Sequence, residues 1–371
     1  MSTSSPVSTN TESAANPEPP PEPDKAAGFG SRALRALLTQ RELLLVILTI
    51  AVLAWLSYLS YGGYLFGDYD ADYLSLSLVD AVPLAMLAFA ELIVIVSGRG
   101  GIDLSIGAQV SLAGMVFGFA YGEWAWPLVL AVPAAIAVGG LLGAINGFLI
   151  AWLEFPALIA TLATYYAFKS LAIVINGQQP ISSPEIQELY SITSSVEIPI
   201  IGYNLPDVPL GVFTFLIPTV VLVWLIMQRT TYGRRLFAIG TNDTAANWSG
   251  VHVAWTRMKA YILAGCIAGA VAVYVTAQFA SARPDAGTSG NGLALPAITI
   301  AVLGGVAITG GIGRVSGVLL AALLITWLNA GILLLFQGNQ GTQFQLLALG
   351  SVLIFAALLN AYTVRKYGGT R

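Results

Sequence analysis

The chain has 371 residues, of which 56% are hydrophobic and only 9% are charged, whereas a typical soluble domain carries about 25% charged residues. So few charges cannot cover a water-facing surface of this size, which disfavours a soluble all-α protein. The single cysteine, Cys266, excludes disulfides and thiolate metal sites, and the single histidine, His252, leaves little room for zinc or acid–base chemistry. The net charge of −3 says little about partners, because the location of the charges matters more than their sum.

The first 30 residues are rich in Ser, Thr, Pro, Glu and Ala, a composition that cannot bury a core and predicts a disordered tail. This tail lacks the apolar segment of a secretory signal peptide, so we interpret the first apolar run as a permanent span. Residues 31–371 are predicted to form an all-α, polytopic membrane helix bundle with about ten spans, because many apolar runs approach the ~20 residues that cross a bilayer. The predicted spans are 43–66, 74–97, 104–121, 127–152, 157–176, 210–228, 258–280, 295–309, 315–336 and 344–363.

The positive charges orient these spans. With the N-terminus inside, fourteen of the sixteen lysines and arginines fall on the cytoplasmic side; Arg283 alone lies outside, and Lys169 lies within a span. The predicted outer loops hold acidic residues instead, including Asp68, Asp70 and Asp285. This asymmetry predicts that both termini are cytoplasmic.

The segment 229–257 is a polar, basic island between two apolar runs, and it is predicted to be a large cytoplasmic loop that a partner contacts. The longest outer loop, 177–209, is acidic and has no lysine or arginine.

Glycines and other small residues recur at helical spacing. Gly139, Gly143 and Gly147 share one face of the fourth span, and Gly265 and Gly269 share one face of the seventh, which predicts close helix packing in lipid. Residues 100–107 and 310–317 match at four of eight positions, which indicates a weak internal repeat, although chance similarity between glycine-rich breaks explains the match equally well.

Polar residues within or beside the spans are candidates for the transport pathway, since ionisable groups in lipid usually face a cavity or a partner. Asp103 and Ser105 follow the paired glycines, and one or the other can cap the next helix. Glu91 lies deep in its span, and a pairing with Lys169 is one hypothesis for it. Neutral groups suited to binding a hydroxyl-rich solute, or to bonding neighbouring helices, are Asn146, Asn176, Gln278 and Asn329.

No lysine of this chain lies in the phosphate-binding pattern Gly-x-x-x-x-Gly-Lys-Ser/Thr, so no ATPase motif is recognisable. A catalytic cluster of His, Cys or paired carboxylates is also not visible.

Five stretches resemble permease subunits of bacterial ATP-binding-cassette sugar importers, the ribose, xylose and galactofuranose group within the superfamily that also includes permeases for branched-chain amino acids. These stretches are GGIDLSIGAQVSLA at 100–113, LLGAINGFLIAWLEFPALIATLATYYAFKSL at 141–171, INGQQPI at 175–181, YGRRLFAIGTNDTAANWSGV at 232–251 and GGVAITGGIGRVSGVLLAALLITWLNAGI at 304–332. They occur in the family's order, and the resemblance extends over nearly all of the chain from about residue 40 to residue 363. Glu91 departs from the uncharged polar residues that relatives often carry there, which makes their substrates an unsafe guide.

The resemblance implies a permease that works as a pair, with itself or with a similar permease, in the cytoplasmic (inner) membrane. It implies two cytoplasmic ATPase subunits that hold ATP and Mg²⁺, so this chain would be no enzyme and carry no cofactor, and a periplasmic or lipid-anchored sugar-binding protein, but no nucleic acid. Arg283 is a candidate contact for the binding protein, although a surface arginine needs no partner. The residues implied to couple to the ATPase are Tyr232, Gly233, Arg234, Arg235, Ala238, Gly240, Asn242, Ala245, Ala246, Ser249 and Gly250.

Two alternatives stay open. A related permease for branched-chain amino acids or nucleosides would share these motifs. A secondary transporter or a membrane enzyme that works alone would need no ATPase.

Overall fold

The computed structural model of the chain describes residues 40–196, 206–290 and 292–367. The tail predicted over 1–30 and residues 197–205 of the predicted outer loop lie outside these ranges. The described residues are mostly helical, and their strands are a short antiparallel pair, β1 (Ser195–Val196) and β2 (Val208–Pro209). The predicted polytopic helix bundle is confirmed.

The α-helices follow one another along the whole described chain. They are α1 Arg41–Tyr61, α2 Ala71–Leu76, α3 Leu78–Val96, α4 Ile106–Phe117, α5 Leu128–Ala151, α6 Ala157–Val174, α7 Pro184–Glu188, α8 Ile217–Trp224, α9 Thr231–Thr241, α10 Asp243–Trp248, α11 Val253–Gln278, α12 Ala294–Leu303, α13 Val315–Leu335 and α14 Asn339–Tyr367. Turns of π-helix cover Gly118–Glu123, Val212–Leu216 and Leu225–Arg229, and a 3₁₀ turn covers Leu189–Thr193.

Among the described residues, eight helical segments are long and apolar enough to cross a membrane. They are Arg41–Tyr61, Ala71–Val96, Leu128–Ala151, Ala157–Val174, Val212–Arg229, Val253–Gln278, Val315–Leu335 and Asn339–Leu359. The third and eighth predicted spans are helical but shorter: α4 has 12 residues before its π-helical turn, and α12 has 10. Eight of the ten predicted spans are therefore complete by length and composition, and the other two are shorter helices.

The eighth span is short because the segment before it runs inward along α4. Ala282 forms a backbone bridge with Ile181 and packs against Gly118, at the far end of α4. Gly287 then packs against Gly107, and its N–H donates to Ser111 Oγ at 2.9 Å. The chain thus descends along α4 before α12 begins. Irregular backbone at this depth is tolerated because protein surrounds it.

Helices α3 and α11 form the centre of the bundle. Most of both helices is buried, whereas few of the described residues of α1 and α14 are buried. The predicted glycine faces of α5 and α11 meet each other: Gly139 packs against Gly265, and Gly143 packs against the backbone of Tyr261. Backbones without side chains between them gain van der Waals contact over their whole facing length.

The helices have two common ends, which we name by their charges. The basic end comprises the segments 97–105, 152–156, 230–252 and 304–314; the acidic end comprises 62–70, 124–127, 175–196, 206–211 and 279–283. At the basic end the second predicted repeat segment touches the end of α3, since the N–H of Gly311 donates to the carbonyl of Val96 at 3.0 Å. Each predicted repeat segment lies between two helices, α3 and α4 in one case and α12 and α13 in the other.

Candidate translocation and coupling sites

A cavity of about 420 Å³ opens near the acidic end. The ends of α3, α11, α12, α13 and α14 surround it, and the segment that runs inward before α12 closes one side. Leucine, proline and phenylalanine side chains supply much of its wall. Its polar lining residues are Tyr73, Ser77, Asp80, Gln278, Thr326, Asn329 and Gln345.

Two of these polar residues join the central helices. Gln278 Nε2, at the end of α11, donates to Asp80 Oδ1, near the start of α3, at 2.7 Å. One turn earlier, the buried Tyr274 hydroxyl donates to the carbonyl of Val79 at 2.9 Å. We call these two bonds the cavity clasp.

On the opposite wall, α13 offers groups that have no partner. Thr326 is only 5% exposed, and its Oγ1 has no hydrogen-bond partner in the described part of the chain. The Asn329 carbonyl accepts from Gln345 Nε2 at 3.1 Å, which leaves its side-chain amide for a solute. Asp80 is the only charged side chain among the described lining residues. This cavity therefore suits a neutral solute with several hydroxyls and disfavours an anion.

A second polar cluster lies inside the bundle. It forms where the segment 97–105 between α3 and α4, which we call the α3–α4 break, meets α5 and α6. Asp103 Oδ1 accepts from the N–H and the Oγ of Ser105 at 2.9 and 2.6 Å, and its Oδ2 accepts from Gln109 Nε2 at 2.7 Å. Asn146 Nδ2 donates to Ser105 Oγ at 2.7 Å, and Asn146 Oδ1 accepts from Thr164 Oγ1 at 2.7 Å. We call these five residues the break network.

Glu91 joins the break network through one carboxylate oxygen, which accepts from the N–H of Asp103 at 3.3 Å. Glu91, Asp103, Ser105 and Asn146 are 0% exposed, and none of them lines the cavity. The predicted cap of α4 does not form: Ser105 occupies the N-cap position, but its side chain makes no capping hydrogen bond, and Asp103 accepts from the N–H of Ser105 instead. The structure therefore brings together four of the predicted pathway residues, but in the interior and not on the cavity wall.

The predicted pairing of Glu91 with Lys169 is wrong. Lys169 Nζ lies 3.5 Å from the Tyr165 hydroxyl and 5.5 Å from the centre of that ring, on the same helix α6. No ion pair within the described residues joins it to Glu91. The sequence could not predict this contact, because spacing along a helix does not fix the rotation of that helix about its axis.

The remaining predicted residues lie at three separate places. Gln278 and Asn329 line the cavity. Asn176 lies in a turn and donates to the carbonyl of Gln179 at 2.8 Å. Arg283 pairs with Asp285 of its own loop at 3.3 Å and stacks on Phe279.

The segment predicted as a large cytoplasmic loop is mainly helical. Thr230 caps α9 by accepting from the N–H of Gly233 at 3.1 Å, and Asn242 caps α10 by accepting from the N–H of Ala245 at 3.0 Å. Helix α9 is held by its buried residues Gly233, Leu236 and Ile239, while Arg234, Arg235 and Ala238 face outward. Burial raises the pKa of the Tyr232 hydroxyl, which donates to the carbonyl of Thr256 at 3.2 Å.

Helix α10 carries the most exposed tryptophan of the described chain. Trp248 is 87% exposed, and Ala245, Ser249 and Gly250 beside it are exposed as well, whereas Ala246 is buried. A large aromatic side chain with so few contacts at the end of a polar helix is typical of a contact for a partner protein.

Gly240 and Asp243 join this helix pair to the α3–α4 break. Gly240 lies so close to Val96 and Gly311 that a Cβ atom would collide with both backbones. Asp243 Oδ1 accepts from Arg257 Nη2 at 2.6 Å, and its Oδ2 lies 3.4 Å from Arg99 Nε. Arg257 Nη2 also donates to the Ser97 carbonyl at 3.0 Å. Arg257 was predicted to be a loop cation, but α11 begins at Val253 and buries it.

Comparison with known families matches residues 73–360 to a family described as the permease component of the branched-chain amino acid transport system. The chain belongs to this permease family. Three similar proteins are autoinducer 2 import system permease proteins LsrD. The protein of Yersinia enterocolitica is 34% identical over 73% of this chain and 79% of its own length. The protein of Enterobacter sp. strain 638 is 33% identical over 73% of this chain and 80% of its own length. The protein of Photorhabdus temperata is 35% identical over 73% of this chain and 78% of its own length.

No solved structure matches this permease. Its relatives are importer permeases and not enzymes, and its apolar helices make it a multi-pass membrane protein, so the predicted resemblance is confirmed.

Several residues of these sites were not predicted from the sequence. Gln109 and Thr164 belong to the break network, and Thr326 lines the cavity. Trp248 lies within the recognised motif but was not singled out. The signal that could have found it is a tryptophan in a polar segment, at a position where an apolar contact within the chain is not expected.

Proposed function

We propose that this permease forms the translocation pathway of an ATP-binding-cassette importer for a small, uncharged, hydroxyl-rich solute of the monosaccharide class, such as ribose, xylose or galactose. The cavity carries this proposal. Asp80 offers a carboxylate and Gln278 offers an amide to a solute. The Asn329 side-chain amide and the Thr326 hydroxyl have no hydrogen-bond partner among the described residues. The described lining holds no cation that would bind an anion. Convergent polar groups in a partly apolar wall are how proteins orient polyhydroxylated ligands.

In this proposal the basic end faces the cytoplasm of the inner membrane and both termini are cytoplasmic, as the charge distribution supports. The exposed faces of α9 and α10 bind an ATPase subunit, which holds ATP and Mg²⁺. A periplasmic or lipid-anchored binding protein delivers the solute at the acidic end, where Arg283 is one contact. A second permease, identical or similar, completes the pathway. ATP binding can favour one access state only through contacts that differ between the states.

Autoinducer 2 is a second candidate solute, because the similar proteins are named for its import. Branched-chain amino acids are a third candidate, since the family description names them. The cavity favours them less, because Asp80 could pair with the amino group while no lining cation could pair with the carboxylate. A secondary transporter is favoured less, because it has no ATPase subunit that could bind the exposed Trp248 face of α10.

The test is uptake into vesicles. The permease is purified in mild detergent with the subunits that accompany it, and the complex is reconstituted in liposomes with ATP inside or outside. Labelled ribose, xylose, galactose, autoinducer 2 and leucine are compared. We expect ATP-dependent uptake of one of the hydroxylated solutes and at least ~10-fold less for the Asn329→Ala variant, which loses a cavity hydrogen bond of about 1.4 kcal/mol.

Uptake of leucine alone would overturn the proposed solute class. Uptake driven by an ion gradient without ATP would overturn the importer itself. A matched control is Asn176→Ala, which removes the same amide from an exposed turn and leaves the cavity intact.

A further inference from the structure

The central helices α3 and α11 are joined at both of their ends. Near the acidic end they meet in the cavity clasp, the bonds from Gln278 to Asp80 and from Tyr274 to the Val79 carbonyl. At the basic end Arg257 of α11 donates to the carbonyl of Ser97, the residue that ends α3. We call the bonds of Arg257 and Asp243 at this end the coupling clasp.

We propose that α3 transmits movement of the helices α9 and α10 to the solute cavity. The movement reaches α3 through the coupling clasp, and it changes the Asp80–Gln278 bond at the cavity. This inference rests on the proposed function, and it names the residues that position the cavity. Asp243 and Arg257 are positioning residues, because neither touches the cavity.

The input is a single carboxylate shared between two cations. Asp243, the first residue of α10, holds Arg257 on α11 with one oxygen and lies beside Arg99 in the α3–α4 break with the other. Arg257 is 1% exposed, so loss of its carboxylate would leave an uncompensated buried charge. A shift of α10 must therefore break the Asp243–Arg257 contact, or pull the Arg257 side chain and the α3–α4 break with it while the backbone of α11 stays packed on α5.

The α3–α4 break is held under strain. Gly98, Arg99 and Gly100 all have positive φ angles, of 82°, 57° and 64°. The left-handed conformation is unfavourable for a residue with a side chain, so contacts of Arg99 must stabilise it. Gly240 of α9 lies against Gly98 with no side chain between them. Movement of α9 consequently acts directly on the end of α3.

Helix α3 is suited to move as a unit, and α11 is suited to stay in place. Helix α3 has 19 residues and is roughly 28 Å long, with Pro83 in its second turn, and apolar neighbours surround it. Helix α11 packs backbone to backbone on α5 through Gly139, Gly143 and Gly265, a contact without space for side chains to adjust. A displacement at the coupling clasp therefore moves α3 against α11, and the Asp80–Gln278 bond spans that moving boundary.

Disulfide formation across the cavity clasp tests the proposal. In a Cys266→Ser background, the pair Asp80→Cys and Gln278→Cys is placed in the complex purified with its ATPase subunits. The rate of oxidation is measured without nucleotide and with Mg²⁺ and a non-hydrolysable ATP analogue. We expect the nucleotide to slow disulfide formation about tenfold, because it separates α3 from α11.

The positioning role is tested by adding Asp243→Asn to the same pair. We expect the effect of the nucleotide on the rate to fall to less than twofold, and Asp243→Glu to restore it, since only a carboxylate holds both arginines. Co-purification of the ATPase subunits is measured for each variant. A merely structural role of Asp243 would lower the yield and leave the nucleotide effect unchanged.

A control pair, Ile181→Cys with Ala282→Cys, lies across the backbone bridge at the acidic end and joins neither α3 nor α11. Its oxidation rate is expected to be equal in both states. Two results would overturn the inference, provided that the Cys266→Ser complex still imports solute with ATP. One is an oxidation rate of the 80–278 cysteine pair that does not change with nucleotide. The other is a nucleotide effect on that rate that is the same after Asp243→Asn. If that complex shows no ATP-dependent import at all, the proposed function fails instead.

Discussion

At the residue scale, the break network shows how buried polar groups join parts of the chain that are distant in sequence. Asn146 contributes one amide to this network, and that amide satisfies Ser105 and Thr164 at once. Ser105, Asn146 and Thr164 lie on three different segments, the α3–α4 break, α5 and α6. In lipid no water replaces a lost partner, so the network fixes these segments relative to one another.

Removal of the Asn146 amide is therefore expected to destabilise the permease. Asn146→Ala leaves Ser105 and Thr164 with fewer partners in a buried site, and each lost hydrogen bond costs about 0.5–1.5 kcal/mol. We expect a lower midpoint of thermal unfolding in detergent. Asn176→Ala is the matched control, since that amide bonds only a turn carbonyl. Equal midpoints for the two variants would show that the network adds no stability.

The residues of this network were partly predictable. The glycine-rich break identified Asp103 and Ser105, and the rarity of amides in apolar spans identified Asn146. Their contacts could not be predicted, because a sequence gives the spacing of residues along a helix but not the rotation of that helix against its neighbours. The same limit explains why Lys169 was paired with Glu91, which it does not reach.

At the element scale, the pairing of α5 with α11 depends on the absence of side chains. A Cβ atom at Gly143 would collide with the backbone of Tyr261, whereas a Cβ atom at Gly350 of α14 would meet nothing within 4 Å. The spacing of these glycines predicted close packing, and the structure identifies the partner. What the sequence could not predict was the inward-running segment before α12, since only its contact with Gly107 places it inside the bundle.

Replacing each of these two glycines by alanine is expected to change the stability of the permease in opposite directions. Alanine is favoured over glycine in a helix by up to about 1 kcal/mol, so Gly350→Ala should leave stability equal or slightly raised. Gly143→Ala should lower it, because α5 and α11 must separate to admit the methyl group. Thermal unfolding and the monodispersity of the purified protein measure both variants. Indifference to Gly143→Ala would contradict the tight packing of these helices.

At the scale of the whole molecule, the two ends differ in the partners they can bind. The acidic end holds the cavity and its clasp, and the basic end presents the caps and outer faces of α9 and α10. Sequence charge alone separated these ends, because lysine and arginine are distributed unequally between them. It did not reveal that α3 and α11 run between the ends and are joined at both.

The exposed Trp248 gives a prediction for the assembly. An aromatic side chain that is 87% exposed contributes little to the fold of this chain, but it can bury a large apolar area in a partner. We therefore expect Trp248→Ala to weaken binding of the ATPase subunit by about 2 kcal/mol, roughly 30-fold in Kd, with little change in thermal unfolding. Trp124→Ala is the matched control, because Trp124 is also well exposed, at 60%, but lies at the acidic end. Affinity measured between the detergent-solubilised permease and its ATPase subunit distinguishes the two variants, and equal affinities would remove α10 from the proposed docking surface.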